Sequence, residues 1–201
     1  MSQHVTSRVF LLMSGVAFAV ALVGVAAPAH AQPVGPPAVR AAGPCFDNVN
    51  RYVDCGNGTV TDTVTGLIWL KQANCFGTGD WAASNRTAAA VKNGDCGLTD
   101  GSSPGDWRLP TYLEWYAMAA RAVDLGCFMP SLTNTAGTWC YGGGAGASFT
   151  GVLTDYGYWS STADVIKPSR AHFVNLYNGD TGSVAGKVVT TGRVWPVRGS
   201  R

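Results

Sequence analysis

Six cysteines downstream of an export signal constrain this chain more than any other feature. Residues 1–8 carry His4 and Arg8 and no acid, and Val9–Ala27 is an almost unbroken apolar run. Ala29-His30-Ala31 then has the small-x-small form of a cleavage site. That order predicts a secretory signal peptide over residues 1–31. The rival is an uncleaved membrane anchor, and the cleavage site argues against it. An exported chain folds where disulfides persist. The even set Cys45, Cys55, Cys75, Cys96, Cys127 and Cys140 therefore reads as three bridges. Each pair of sequence neighbours brackets a loop-like stretch, which predicts Cys45–Cys55, Cys75–Cys96 and Cys127–Cys140. A zinc site would need closely spaced pairs such as C-x-x-C or H-x-x-x-H, and neither spacing occurs. No metal and no cofactor are expected.

Cleavage after Ala31 leaves 170 residues, enough for one core. Residues 32–44 hold four prolines and no periodicity, so they read as a flexible leader before a single domain over 45–201. No second long apolar run follows, so no integral membrane segment is expected after cleavage. Charged residues are only 13% and hydrophobic residues 46%, which excludes a disordered or acidic-tail protein. A net charge of +2 gives no global field for holding nucleic acid. Twenty-six glycines and a high aromatic content point to a turn-rich, β-containing domain.

Asn57-Gly58 separates Tyr52-Val53 from Thr59-Val60-Thr61, a hairpin signal, and Asp62–Gly66 turns the chain into Leu67–Leu70. The stretch DCGNGTVTD is out of register for a calcium loop. Asp80 can cap a helix from Trp81 to about Lys92. Thr111-x-x-Glu114 is a capping box for a second helix, and Gly126 ends it. Periodicity places Leu113, Tyr116, Ala117, Ala120 and Val123 on its inner face. Cys127–Thr154 reads as a long disulfide-tied loop with a Gly-rich centre at residues 142–147. Tyr158–Thr162, Arg170–Tyr177, Ser183–Val189 and Arg193–Arg198 complete a meander.

No nucleophile elbow, phosphate loop or dinucleotide fingerprint is present. His172, the one histidine after cleavage, lies inside an alternating strand pattern, which favours a structural or surface role. Glu114 is explained by the capping box. Trp69, Trp107, Trp115, Trp159 and Trp195 read as core, while Trp81, Trp139 and the tyrosines around the Gly-rich loop are open to recognition. Charge is uneven. Residues 41–164 carry six basic and eleven acidic residues, and residues 165–201 carry six basic residues against Asp180 alone. The C-terminal meander is thus a candidate basic face, with Lys167, Arg170, Lys187 and Arg193 as candidate ligand-binding residues. Alternatively, its charge neutralises the acidic N-terminal hairpin.

Residues 57–71 (NGTVTDTVTGLIWLK), 74–77 (NCFG), 96–111 (CGLTDGSSPGDWRLPT), 158–162 (YWSST) and 193–198 (RVWPVR) resemble the family named for the C-terminal domain of the Legionella collagen-like protein. The resemblance runs from about residue 45 to 198. It implies an α+β, C-type lectin-like fold: a curled antiparallel sheet, two helices and a long loop region. It further implies an adhesin-like, non-catalytic module for sulfated extracellular polysaccharide, as a homo-oligomer. This chain lacks the collagen-like repeat that would drive such assembly. Cys75 and Cys96 match a cysteine pair found in many members. Two rival functions stand beside glycan binding. One is a formylglycine-generating-type oxidoreductase on a related fold, and the other is an interaction module for an envelope protein. The expected location is periplasmic, cell-surface or secreted.

Overall fold

The computed structural model describes residues 40–142 and 146–199. The expected signal peptide, residues 32–39 of the leader and the centre of the Gly-rich loop lie outside them. The described chain is α+β, with three disulfides. The cysteines pair as sequence neighbours, Cys45–Cys55, Cys75–Cys96 and Cys127–Cys140, at separations of 10, 21 and 13 residues.

Two sheets form. In the first, β1 (Tyr52–Asp54), β2 (Thr59–Asp62) and β3 (Leu67–Leu70) make an antiparallel meander, and β9 (Val197–Arg198) pairs with β3. Gly58 in the first turn has φ +83°, and a Cβ there would stand 2.6 Å from the Gly97 carbonyl oxygen, so only glycine fits. The second sheet has the order β4 (Thr78–Gly79), β8 (Gly192–Arg193), β5 (Tyr158–Ala163), β6 (Arg170–Val174), β7 (Val184–Gly186).

The structure replaces the single antiparallel sheet and its simple C-terminal meander. β5 and β8 run parallel, and Arg193–Arg198 is shared between two sheets. The break falls at Val194-Trp195-Pro196. Pro196 has no N–H to donate to a ladder, but its carbonyl accepts from Leu70 N–H at 3.1 Å. The chain therefore crosses from one sheet to the other, and the Trp195 side chain fills the space between them.

Helix α1 (Trp81–Ala90) is capped by Asp80, whose carboxylate accepts from the Ala83 N–H at 2.7 Å. Helix α2 (Tyr112–Asp124) has the full capping box. It is rotated from the expected facing: Trp115, Met118, Ala119 and Ala122 are buried, while Leu113, Tyr116 and Val123 are exposed. Both faces of this helix are apolar, so periodicity alone does not choose between them. Trp115 decides. Its ring lies 5.1 Å from Trp69 and 5.8 Å from Trp195, and its indole N–H donates to the Trp159 carbonyl at 3.2 Å. The larger aromatic buries more apolar area than Leu113.

The main core joins these rings to Tyr52, Phe149 and Tyr158. A smaller cluster of Ala88, Leu109, Trp159, Ala171, Ala185 and Val194 lies against α1. All five tryptophans assigned to the core are at most 1% exposed. Residues 127–142 and 146–154 contain no helix or strand, only isolated bridges such as Thr133 with Cys140. Among the described residues no helix is long and apolar enough to cross a membrane.

Candidate functional site

The four candidate cations do not share one environment. Arg193 is drawn inward. It is 7% exposed, its Nη2 donates to both Asp155 carboxylate oxygens at 2.7 Å, and its Nη1 donates to the Asn74 side-chain oxygen at 2.6 Å. It also lies over the Tyr156 ring at 5.6 Å. The Arg193 guanidinium holds the Asp155 carboxyl below the usual carboxylate range, against a weaker opposing effect of desolvation. Such a two-pronged pairing, from a buried guanidinium to a surface carboxylate, positions backbone segments. It ties β8 to the loop before β5 and to the segment after β3.

Arg198 is likewise committed. It is buried, 3.0 Å from Asp100, with its guanidinium over the Trp107 ring at 5.2 Å. The acidic hairpin is met by a different residue, because Arg51 pairs with Asp62 at 3.3 Å and donates to the Ala117 carbonyl of α2. Two of the C-terminal cations therefore neutralise acids in loops.

The fold brings Lys167, Arg170 and Lys187 to the same end of one ladder. β6 and β7 are antiparallel with Arg170 opposite Gly186, so the start of β6 adjoins the end of β7. The Arg170 N–H donates to the Lys167 carbonyl at 2.8 Å, and the Lys187 N–H donates to the Ser169 carbonyl at 2.9 Å. The β5–β6 loop and the segment after β7 thus leave the same end of one ladder. Among the described residues none of these three cations is in a salt bridge. Arg170 donates to the Val184 carbonyl at 2.6 Å, which holds its guanidinium along the sheet edge. The Lys187 ammonium stands 4.1 Å from the centre of the Trp81 ring, while the Trp81 indole N–H is fixed on the Ser160 carbonyl.

The acids nearest in the chain are engaged with backbone. Asp164 accepts from the N–H groups of Ile166 and Lys167, which holds its carboxyl below the usual range despite some desolvation. Asp80 caps α1. Arg170 lies on the ladder face that His172 shares with Tyr112, and Lys187 on the opposite face against Trp81, so the three cations are distributed around the ladder end.

Its neighbours were not legible in the sequence. Val188 and Val189 read as strand, yet β7 ends at Gly186 and both are exposed, as are Val165 and Ile166. Trp139 is exposed on the disulfide-tied loop, where Asn134 accepts from its N–H. His172 stacks on Tyr112 with ring centres 4.8 Å apart, consistent with a structural place. Glu114 serves as the cap and is gripped by Arg108 at 2.6 and 2.7 Å. All six cysteines are in disulfides.

A family model described as the Lcl C-terminal domain matches residues 58–198. No curated protein and no solved structure matches the chain.

Proposed function

The chain belongs to the Lcl C-terminal domain family, and from that premise we propose that it is an exported, non-catalytic binding module with a C-type lectin-like fold. Its ligand is an anionic, sulfated extracellular glycan, held at the end of the β6–β7 ladder by Lys167, Arg170 and Lys187. One observation carries the reading: the three residues bearing these cations sit around one end of the β6–β7 ladder, unpaired with carboxylate among the described residues. Sulfate groups supply the missing acceptors through charge-assisted hydrogen bonds. Arg193 is committed to Asp155 and Asn74 and is left out of the ligand contacts. Location at the cell surface, in the periplasm or outside the cell follows from export, and the disulfides accord with an oxidising compartment.

Heparin chromatography over a salt gradient tests this. The mature chain should be retained, and it should elute early once salt shortens screening to about 8 Å or less. Lys167→Ala with Lys187→Ala should remove most retention. Retention unchanged in that variant, or insensitive to salt, overturns the site. Three contacts on one copy bind weakly, so retention should rise when copies are linked.

The envelope-protein reading draws on a separate observation, the exposed Leu113, Tyr116 and Val123 along α2. Excess soluble polysaccharide should displace a ligand from the ladder end and leave a partner on α2 in place. The oxidoreductase reading needs reduced thiols, and zero free thiols on titrating the native protein would count against it.

A further inference from the structure

The three cations at the ladder end have aliphatic neighbours that a sugar polymer does not use. In the β5–β6 loop Val165 is 90% and Ile166 83% exposed, directly before Lys167. After β7, Val188 is 85% and Val189 88% exposed, directly after Lys187. Single exposed aliphatic residues are ordinary. Here two pairs occur on two segments that leave the same end of the β6–β7 ladder, and each pair abuts a lysine.

Both segments are held in place. Asp164 accepts from the N–H groups of Ile166 and Lys167 at the base of the first loop. The Thr190 N–H donates to the Gly186 carbonyl at 3.2 Å across the second. Docking this end therefore orders little that is not already ordered.

We propose that this end of the protein docks on a bilayer surface carrying anionic lipid. The aliphatic side chains enter the boundary between headgroups and acyl chains, and Lys167, Arg170 and Lys187 face the lipid phosphates. Charge complementarity selects an anionic surface, and the aliphatic pairs select one with an apolar layer beneath its charge. A polybasic patch and a small apolar insertion are each weak anchors, and together they give stable peripheral binding. A free polysaccharide satisfies the cations but leaves the four aliphatic side chains in water. The docking does not rest on the glycan reading, although it shares that reading's cations.

The test uses the mature chain, with vesicles of phosphatidylcholine alone or mixed with phosphatidylglycerol. The variant Val165→Ser, Ile166→Ser, Val188→Ser, Val189→Ser changes only exposed side chains and should melt like the parent. The parent should sediment with the anionic vesicles and not with the neutral ones. The fourfold variant should lose about tenfold or more in vesicle affinity, equal to about 1.4 kcal/mol, while heparin retention stays unchanged. A parent that ignores anionic vesicles, or a variant that binds them as tightly as the parent, overturns the docking. Vesicle binding that needs the aliphatic residues in a protein that heparin does not retain upholds the docking and removes the glycan reading. Aliphatic-dependent binding to an envelope protein, with no binding to vesicles, overturns it in favour of a protein partner.

Discussion

Arg193 and Lys187 lie in the same basic C-terminal segment and play opposite parts. Arg193 holds Asp155 and Asn74 from a buried position, and removing it leaves polar groups without their partner. Arg193→Ala should lower the melting temperature clearly. Arg193→Lys should recover only part of the loss, since one ammonium cannot reproduce the forked geometry. Lys187→Ala should lower the melting temperature only slightly, losing a half-buried cation–π contact worth about 1 kcal/mol, but should shorten heparin retention. Thermal melts beside a heparin column separate the two roles. Glu114 adds a pH signature. Burial opposes its charge, yet the Arg108 guanidinium and the Thr111 N–H outweigh burial and hold its carboxyl below the ordinary value. A depressed acid contributes stability that is complete above its unfolded value, about 4.3, and is lost as pH falls through the lower folded value. The stability gap between the parent and Glu114→Gln should therefore be constant near neutrality and close as pH drops below about 4, as acid-range melts would show.

At the scale of the element, α2 separates what a local pattern can specify from what it cannot. Thr111 and Glu114 close a box within one turn, and the box forms as written. Thr111→Ala should cost about 0.5–2 kcal/mol in urea unfolding, the usual range for a lost N-cap. The rotation of the helix is a different matter, because Leu113, Tyr116 and Val123 offer as regular an apolar stripe as Trp115, Met118 and Ala122. Met118→Ala should cost about 2–5 kcal/mol as a buried truncation, whereas Leu113→Ser should stay within about 0.5 kcal/mol. The reverse order would return the helix to the facing its periodicity suggests. The end of β7 follows the same logic. A run of β-branched residues extends the strand signal through Val189, but after one last bond from the Lys187 N–H to the Ser169 carbonyl the chain turns, closed by the Thr190 N–H on the Gly186 carbonyl.

Across the whole molecule, the three disulfides each clip a segment between sequence neighbours, and the long Cys127–Thr154 stretch is tied to its own start. Replacing Cys75 and Cys96 together by Ser opens the largest loop, of 21 residues. It should cost about 3 kcal/mol in the chain-entropy account, measured by urea unfolding of the oxidised protein. The sequence by itself determined the features whose energies are local: the two helix caps, the Asn57-Gly58 turn, the bracketing cysteines and the five core tryptophans. Each depends on residues within a few positions, or on the character of a single side chain. The tertiary structure alone decided which face of α2 turns inward, where the C-terminal chain crosses between sheets, and which cations remain free. Trp115 finds its acceptor 44 positions away, and Arg193 finds its partners 38 and 119 positions away. A net charge counted along a segment cannot foresee a pairing made across such distances. The basic segment therefore resolves into two buried braces, Arg193 and Arg198, and three cations around one sheet end, because ion pairing in a folded chain is set by proximity in space.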